Sequence, residues 1–172
     1  LAEELQTLVI VQTDLDIGMN QHIVDRFQVN PEPLKRGKVL TKEHIENVED
    51  YARYRDSNGD GVGYRTLPGT EHDRAAYFTR GTGHDEKALY SEDNETFKAN
   101  MNRLLKKVET ARLKVPQPEI ETVDDSQLGV IYFGSTHEAA KESFDQLKQN
   151  GHRISTLRLK ALPLSESVKV FI

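Results

Sequence analysis

Residues 128–162 constrain the fold of this chain more than any other stretch. Leu128-Gly-Val-Ile-Tyr-Phe133 is an unbroken run of strand length, closed by Gly134-Ser135. Ala140, Phe144 and Leu147 then recur at helical spacing. Asn150-Gly151 ends that helix, since glycine enters the left-handed region without steric cost. Ile154 to Leu162 alternates apolar and polar residues as a strand does. Strand, helix, strand predicts a β-α-β unit with parallel strands and a right-handed crossover. Ser135 and Glu138 stand at capping-box spacing, so the serine is expected to cap the helix.

Upstream, Leu8-Val-Ile-Val11 is a continuous apolar run that suits a strand buried on both faces. From Gln28 to Pro118 the pattern weakens into a long connecting region. Within it, Thr41 is expected to cap a helix that puts Ile45, Val48 and Ala52 on one face. Asp56-Ser-Asn-Gly-Asp-Gly61 is a turn by composition. Asn94 is expected to cap a second helix, with Phe97, Met101, Leu104, Leu105 and Val108 as its apolar stripe. Its basic residues, Lys98, Arg103, Lys106, Lys107, Arg112 and Lys114, are read as a solvated face, with a partner or phosphate contact as the alternative. Val115-Pro-Gln-Pro118 ends that helix and opens a linker to Gln127. Val168-Lys-Val-Phe-Ile172 reads as a further strand. Leu1 stands in place of an initiator methionine, and both ends read as cut.

Composition sets outer limits. The 172 residues suffice for one domain or two small lobes. With 23 basic and 28 acidic residues the net charge is −5, a poor basis for general nucleic-acid or anionic-membrane binding. No apolar run approaches the roughly 20 residues of a membrane helix. The chain has no cysteine, so it supplies no disulfide and no thiolate for zinc or an iron–sulfur cluster. A reducing cytoplasm fits this usage.

Several residues are placed for chemistry. Asp56, Asn58 and Asp60, with Gly61, match the opening of a calcium loop over 56–67. The twelfth position, where a bidentate glutamate belongs, is Leu67. Asp14 and Asp16 follow the apolar run, at the sheet end where α/β proteins bind ligands, and equally where turns are capped. Gly134-Ser135, between strand and helix, is a weak anion-binding signal. His72 and His84 each precede an aspartate, Asp73 and Asp85, but adjacent side chains diverge and make no acid–base pair by themselves. Spacing alone leads to an α/β protein with a long connecting region, and leaves open a non-enzymatic interaction module.

The residues themselves go further. Asp14-Leu-Asp-Ile-Gly-Met-Asn20, Arg36-Gly-Lys-Val-Leu40, Asp60-Gly-Val-Gly-Tyr-Arg-Thr-Leu-Pro-Gly-Thr70 and Ala76-Tyr-Phe-Thr-Arg-Gly-Thr-Gly-His-Asp85 form ordered blocks. Arg103-Leu-Leu-Lys-Lys107, Val115-Pro-Gln-Pro118 and the Gly134-Ser135 turn continue them. Together they resemble the α subunit of 2-oxoacid:ferredoxin oxidoreductases, of the 2-oxoglutarate type. The resemblance implies the end of a pyrimidine-type α/β domain at 1–28, an inter-domain bridging region at 29–119, and the first part of a transketolase C-terminal-like α/β domain at 120–172. It implies an enzyme that converts 2-oxoglutarate and coenzyme A to succinyl-CoA and reduces ferredoxin. Thiamine diphosphate, magnesium and an iron–sulfur cluster would be held in the full complex, on a β subunit or upstream sequence, and none here. Arg65, Gly69, His84 and Asp85 are block positions, implied as substrate or subunit contacts. No catalytic residue is implied within the chain, which is expected to be an oligomer's scaffold and inactive by itself.

Calcium is expected not to bind tightly to 56–67, because the missing glutamate normally supplies two of the oxygens. Titration calorimetry showing sub-micromolar calcium binding at Asp56–Asp60 would overturn this.

Overall fold

The computed structural model describes residues 1–29, 32–79, 81–126 and 128–172; Gln127, where the linker was expected to end, lies outside them. The contacts divide the chain into two compact units. The first comprises Leu1–Val9 and Pro33–Ala111, the second Ile10–Glu32 and Arg112–Ile172.

The second unit carries the predicted α/β core. β2 (Leu128–Phe133) and β3 (Ile154–Leu159) pair in parallel, from Leu128 opposite Ile154 to Phe133 opposite Leu159. α5 (Thr136–Gln149) joins them. β1 (Glu119–Glu121) pairs antiparallel with β3, giving the order β1-β3-β2. The expected linker therefore contains a strand. β3 ends at Leu159 rather than Leu162, and its central place buries both of its faces: Ile154, Thr156 and Leu157 are all inaccessible. Phe144 of the predicted stripe packs into this core, flanked by the half-buried Ala140 and Leu147. Gly151 closes α5 with φ 82°, while the His152 amide donates to the Leu147 carbonyl at 3.0 Å.

Two expected strands are absent. Val168–Ile172 lies mostly in α6 (Glu166–Phe171). The helical turn puts Val168 in the core and brings Phe171 against Gly129, where an added Cβ would stand 3.3 Å from the ring. Docking of one helical face thus overrides the β propensity of the valines. Leu8–Val11 is extended but unpaired, with Leu8, Ile10 and Val11 more than 70% exposed. A buried strand needs a partner for its amides, and none is supplied to this run among the described residues.

Among the described residues the first unit has isolated β-bridges but no sheet. Short α1 (Ala2–Leu5) and α3 (Lys42–Glu46) contribute Leu5 and Ile45 to a core that also holds Leu40, Ala52, Val62 and Ala88. Thr41 caps α3 as predicted, with His44 returning the contact as a capping box. The helix stops at Glu46, and Arg74 takes up the freed carbonyls of Ile45, Val48 and Glu49. α4 (Asn94–Lys114) is capped one residue earlier than expected, by Asp93, which accepts from the Thr96 amide at 2.8 Å.

The faces of α4 are the reverse of the expectation. Phe97, Met101, Leu104, Leu105 and Val108 are exposed, and nothing on the helix is fully buried. The inward residues are polar: Asn100, Arg103, Lys107 and Thr110 are half-buried. Arg103 donates to the Gly61 carbonyl at 3.1 Å and Thr110 to the Asp60 carbonyl at 2.8 Å. Lys107 donates to the Gln6 carbonyl, and the Gln6 amide donates in turn to the Gly63 carbonyl at 2.7 Å. The cations are inside because the turn they meet presents bare carbonyls, which need donors.

Gly61 makes that contact possible. Its φ is 76°, and an added Cβ would lie 2.3 Å from the Lys107 amide nitrogen. Gly59 has nearly the same φ, 75°, with open space around it. Gly59→Ala is expected to cost about 1–2 kcal/mol, the left-handed penalty alone, and Gly61→Ala more than about 3 kcal/mol, because backbone must move. Urea midpoints of the two variants check this; equal losses would show that the turn is free to shift.

Candidate functional site

Arg65 lies in the short backbone ladder that holds the first unit together. Its amide donates to the Lys38 carbonyl and its own carbonyl accepts from Leu40. The guanidinium is largely covered and binds the Glu3 carboxylate and the Arg36 carbonyl, the latter at 3.2 Å. The Arg65 Nε is buried and has no acceptor. Arg36 stands 3.9 Å from the same Glu3 oxygen, so one carboxylate sits between two guanidinium groups. Sixty-two positions separate Arg65 from Glu3, a pairing no local sequence signal announces.

Gly69 follows in the turn after Arg65, with φ 92° and open space where a side chain would be. It lines a cleft of about 350 Å³ together with Thr66, Thr70, His72 and Tyr77. Thr66 donates to the Ala75 carbonyl at 2.7 Å across this loop. His72 caps the short 3-10 turn Asp73–Ala75 through its Nδ1, a structural use of that ring.

His84 and Asp85 are placed apart in role although adjacent in sequence. The His84 imidazole stacks on Tyr54, centroid to centroid 4.0 Å. The Asp85 carboxylate accepts from the Lys87 and Leu89 amides, each at 2.9 Å, and so holds its own turn. Among the described residues no hydrogen bond or ion pair joins His84 or Asp85 to Arg65, so the four block positions do not converge on one point.

Around Tyr54 the structure gathers residues that sequence reasoning passed over. Arg53 lies against the Tyr54 ring at 4.9 Å, Arg103 at 5.4 Å, and Arg53 also faces Tyr77 at 6.0 Å. Burial pushes the Lys107 ammonium below its ordinary pKa, and Arg103 and Arg53 push it the same way. Burial likewise raises Tyr51 to about 12, with Tyr77 adding to the rise. The available signal was the run Tyr51-Ala-Arg-Tyr-Arg55, in which arginine and tyrosine interleave.

The calcium-like loop is engaged internally. Burial raises the Asp60 pKa, but the Lys38 ammonium at 2.7 Å and the Val62 amide at 3.0 Å outweigh it, and the carboxyl is held low. Asp14 and Asp16 do not end a strand formed by 8–11. Asp14 caps α2 (Leu15–Met19) through the Ile17 amide and also accepts from the Ser135 amide at 3.0 Å. It therefore stands at the carboxyl end of β2, and it supplies the acceptor in place of the expected capping box, since Ser135 makes no side-chain cap. Asp16 accepts from Asn20.

No family model matches the sequence. The fold is similar to part of a 2-oxoglutarate:ferredoxin oxidoreductase. That protein, from Magnetococcus marinus, was solved with 2-oxoglutarate, coenzyme A and succinyl-CoA bound. The TM-score is 0.61 at 21% identity, over 70% of this chain and 21% of that one. The chain thus spans about a fifth of the structure it matches. No helix among the described residues is long and apolar enough to cross a membrane.

The Asp14 contact carries a pH dependence. The Ser135 side chain and the Ile17 and Ser135 amides hold this carboxyl below its ordinary value. Its stabilising contribution is present above about pH 4, the unfolded value, and is lost as pH falls through the lower folded value. Urea midpoints followed from neutral pH to acid are expected to drop less steeply in Asp14→Asn than in the wild type. Identical acid limbs would remove Asp14 from this role.

Proposed function

We propose that this chain is part of the α subunit of a thiamine-diphosphate-dependent 2-oxoacid:ferredoxin oxidoreductase, which oxidatively decarboxylates 2-oxoglutarate to succinyl-CoA and reduces ferredoxin. The observation that carries the reading is the fold likeness over 70% of the chain, alongside the ordered sequence blocks. In this reading residues 1–28 close one α/β domain, 29–119 bridge, and 120–172 open a second. The exposed apolar stripe of α4 and the uncovered run Leu8–Val11 support an assembled state, because faces of this kind mark interaction surfaces. They weigh against a free-standing structural domain. The internal engagement of Asp60 by Lys38 weighs against a calcium-stabilised module.

Thiamine diphosphate supplies the electron sink that no amino-acid side chain provides. The chain has no cysteine to ligate a cluster, and in this reading the β subunit holds it. In this reading the magnesium that accompanies the diphosphate is held in the full complex. This chain's own contribution is positioning. Arg65 binds a carboxylate in the structure, that of Glu3, and retains an unused Nε. A 2-oxoacid, or an acidic side chain of a second subunit, offers the same group to the same planar fork.

In the assembled enzyme, Arg65→Lys keeps the charge and loses the fork. Turnover of 2-oxoglutarate, or association of the subunits, is expected to fall about tenfold or more, with a small change in melting temperature. Normal turnover and assembly with a large melting shift would assign Arg65 to structure alone. The chain by itself, incubated with 2-oxoglutarate, coenzyme A, thiamine diphosphate and a viologen dye, is expected to give no dye reduction.

A further inference from the structure

We propose that Arg53 and Arg103, held against the Tyr54 ring, form together with the neighbouring Lys107 a receptor for a phosphate group. Arg53 and Arg103 each place their guanidinium carbon within 5.4 Å of the same ring centroid. His84 stacks on the same ring at 4.0 Å. Lys107 lies one helical turn beyond Arg103 on α4, on the same inward face.

The donors of this group are largely unspent. Arg53 has no hydrogen-bond or ion-pair partner among the described residues; its contacts are the Tyr54 and Tyr77 rings. Arg103 spends one nitrogen on the Gly61 carbonyl, and its Nε is buried without an acceptor. Lys107 gives one bond, to the Gln6 carbonyl. A carboxylate that acts on Arg103 is Asp56, whose two oxygens are buried and accept no hydrogen bond; Lys106 lies 3.7 Å away. Asp56 acts on Arg103, whereas Lys107 feels burial, Arg103 and Arg53, and Asp56 already faces Lys106, so the half-buried cations are under-compensated.

Like charges held together in a medium of reduced dielectric repel strongly. Burial, and then the neighbouring cations, press both Arg103 and Lys107 toward their neutral forms. A ligand that relieves this has to bring more than one negative charge into a small volume. A monocarboxylate brings one. A phosphate carries about 1.5 to 2 charges at neutral pH and several acceptor oxygens, which suit an arginine fork. Tyrosine rings that hold the guanidinium groups in place lower the ordering cost of binding.

The inference is independent of the oxidoreductase reading, and its test needs no turnover. Calorimetry and thermal melts of the intact chain are run with inorganic phosphate, ADP, and chloride at matched ionic strength. The expected result is one-to-one binding of phosphate or ADP, absent with chloride; tighter binding of ADP marks a nucleotide source, equal binding a free anion. Arg53→Gln removes no internal hydrogen bond and is expected to keep the fold while weakening binding about tenfold or more. Asp56→Asn removes the competing acid and is expected to strengthen binding roughly threefold. No binding of either probe, or binding unchanged in a folded Arg53→Gln, overturns the proposal.

Discussion

The approach of one turn to one helix organises the first unit. At Gly61 the backbone comes so near to α4 that a methyl group has no room. The turn carbonyls arrive at the helix surface unpaired, and Arg103 and Thr110 meet them. Gln6 and Lys107 extend the same arrangement to the first residues of the chain. A region with few regular elements is held in this way by side-chain donors on main-chain acceptors. Each bond is modest, but each of those carbonyls would be expensive to leave bare.

That constraint also explains the inverted helix. A stripe of Phe97, Met101, Leu104, Leu105 and Val108 ordinarily faces a core. Here the inward side is committed to the turn, so the apolar side is left at the surface. Sequence periodicity finds the two faces of α4 correctly and misassigns which is inside. The deciding contact involves carbonyls some forty residues away, and carbonyls leave no trace in a hydropathy pattern.

Legibility follows the same division elsewhere. The β-α-β unit was readable because its core residues, Phe144, Ile154 and Leu157, are selected by local period and then used as such. Val168–Ile172 was misread because two valines and an isoleucine suit a strand, while the place for Phe171 is fixed by the absence of a side chain at Gly129. The short β1 is two glutamates around Ile120, Glu119 paired to Arg158 and Lys160 and Glu121 to Lys148, and carries no apolar run to announce it. In the candidate site, Arg65 and Gly69 were reached through resemblance. The Glu3 carboxylate that defines what Arg65 binds came only from the structure. The Arg53–Tyr54 grouping was written in the sequence as an interleaved run, but only its convergence with α4 gives that run meaning.

The bond from the Ser135 amide to Asp14 spans 121 positions. Closing a loop of that length costs entropy that the bond itself does not return, so the two ends must be brought together by other means. The strand and helix on either side of Ser135 are local and assemble from neighbouring residues. The β-α-β unit is therefore expected to form first and to offer a free amide at the top of β2, onto which the segment carrying Asp14 latches afterwards. Hydrogen exchange should report the latch as an early-opening element, released while β3 stays protected.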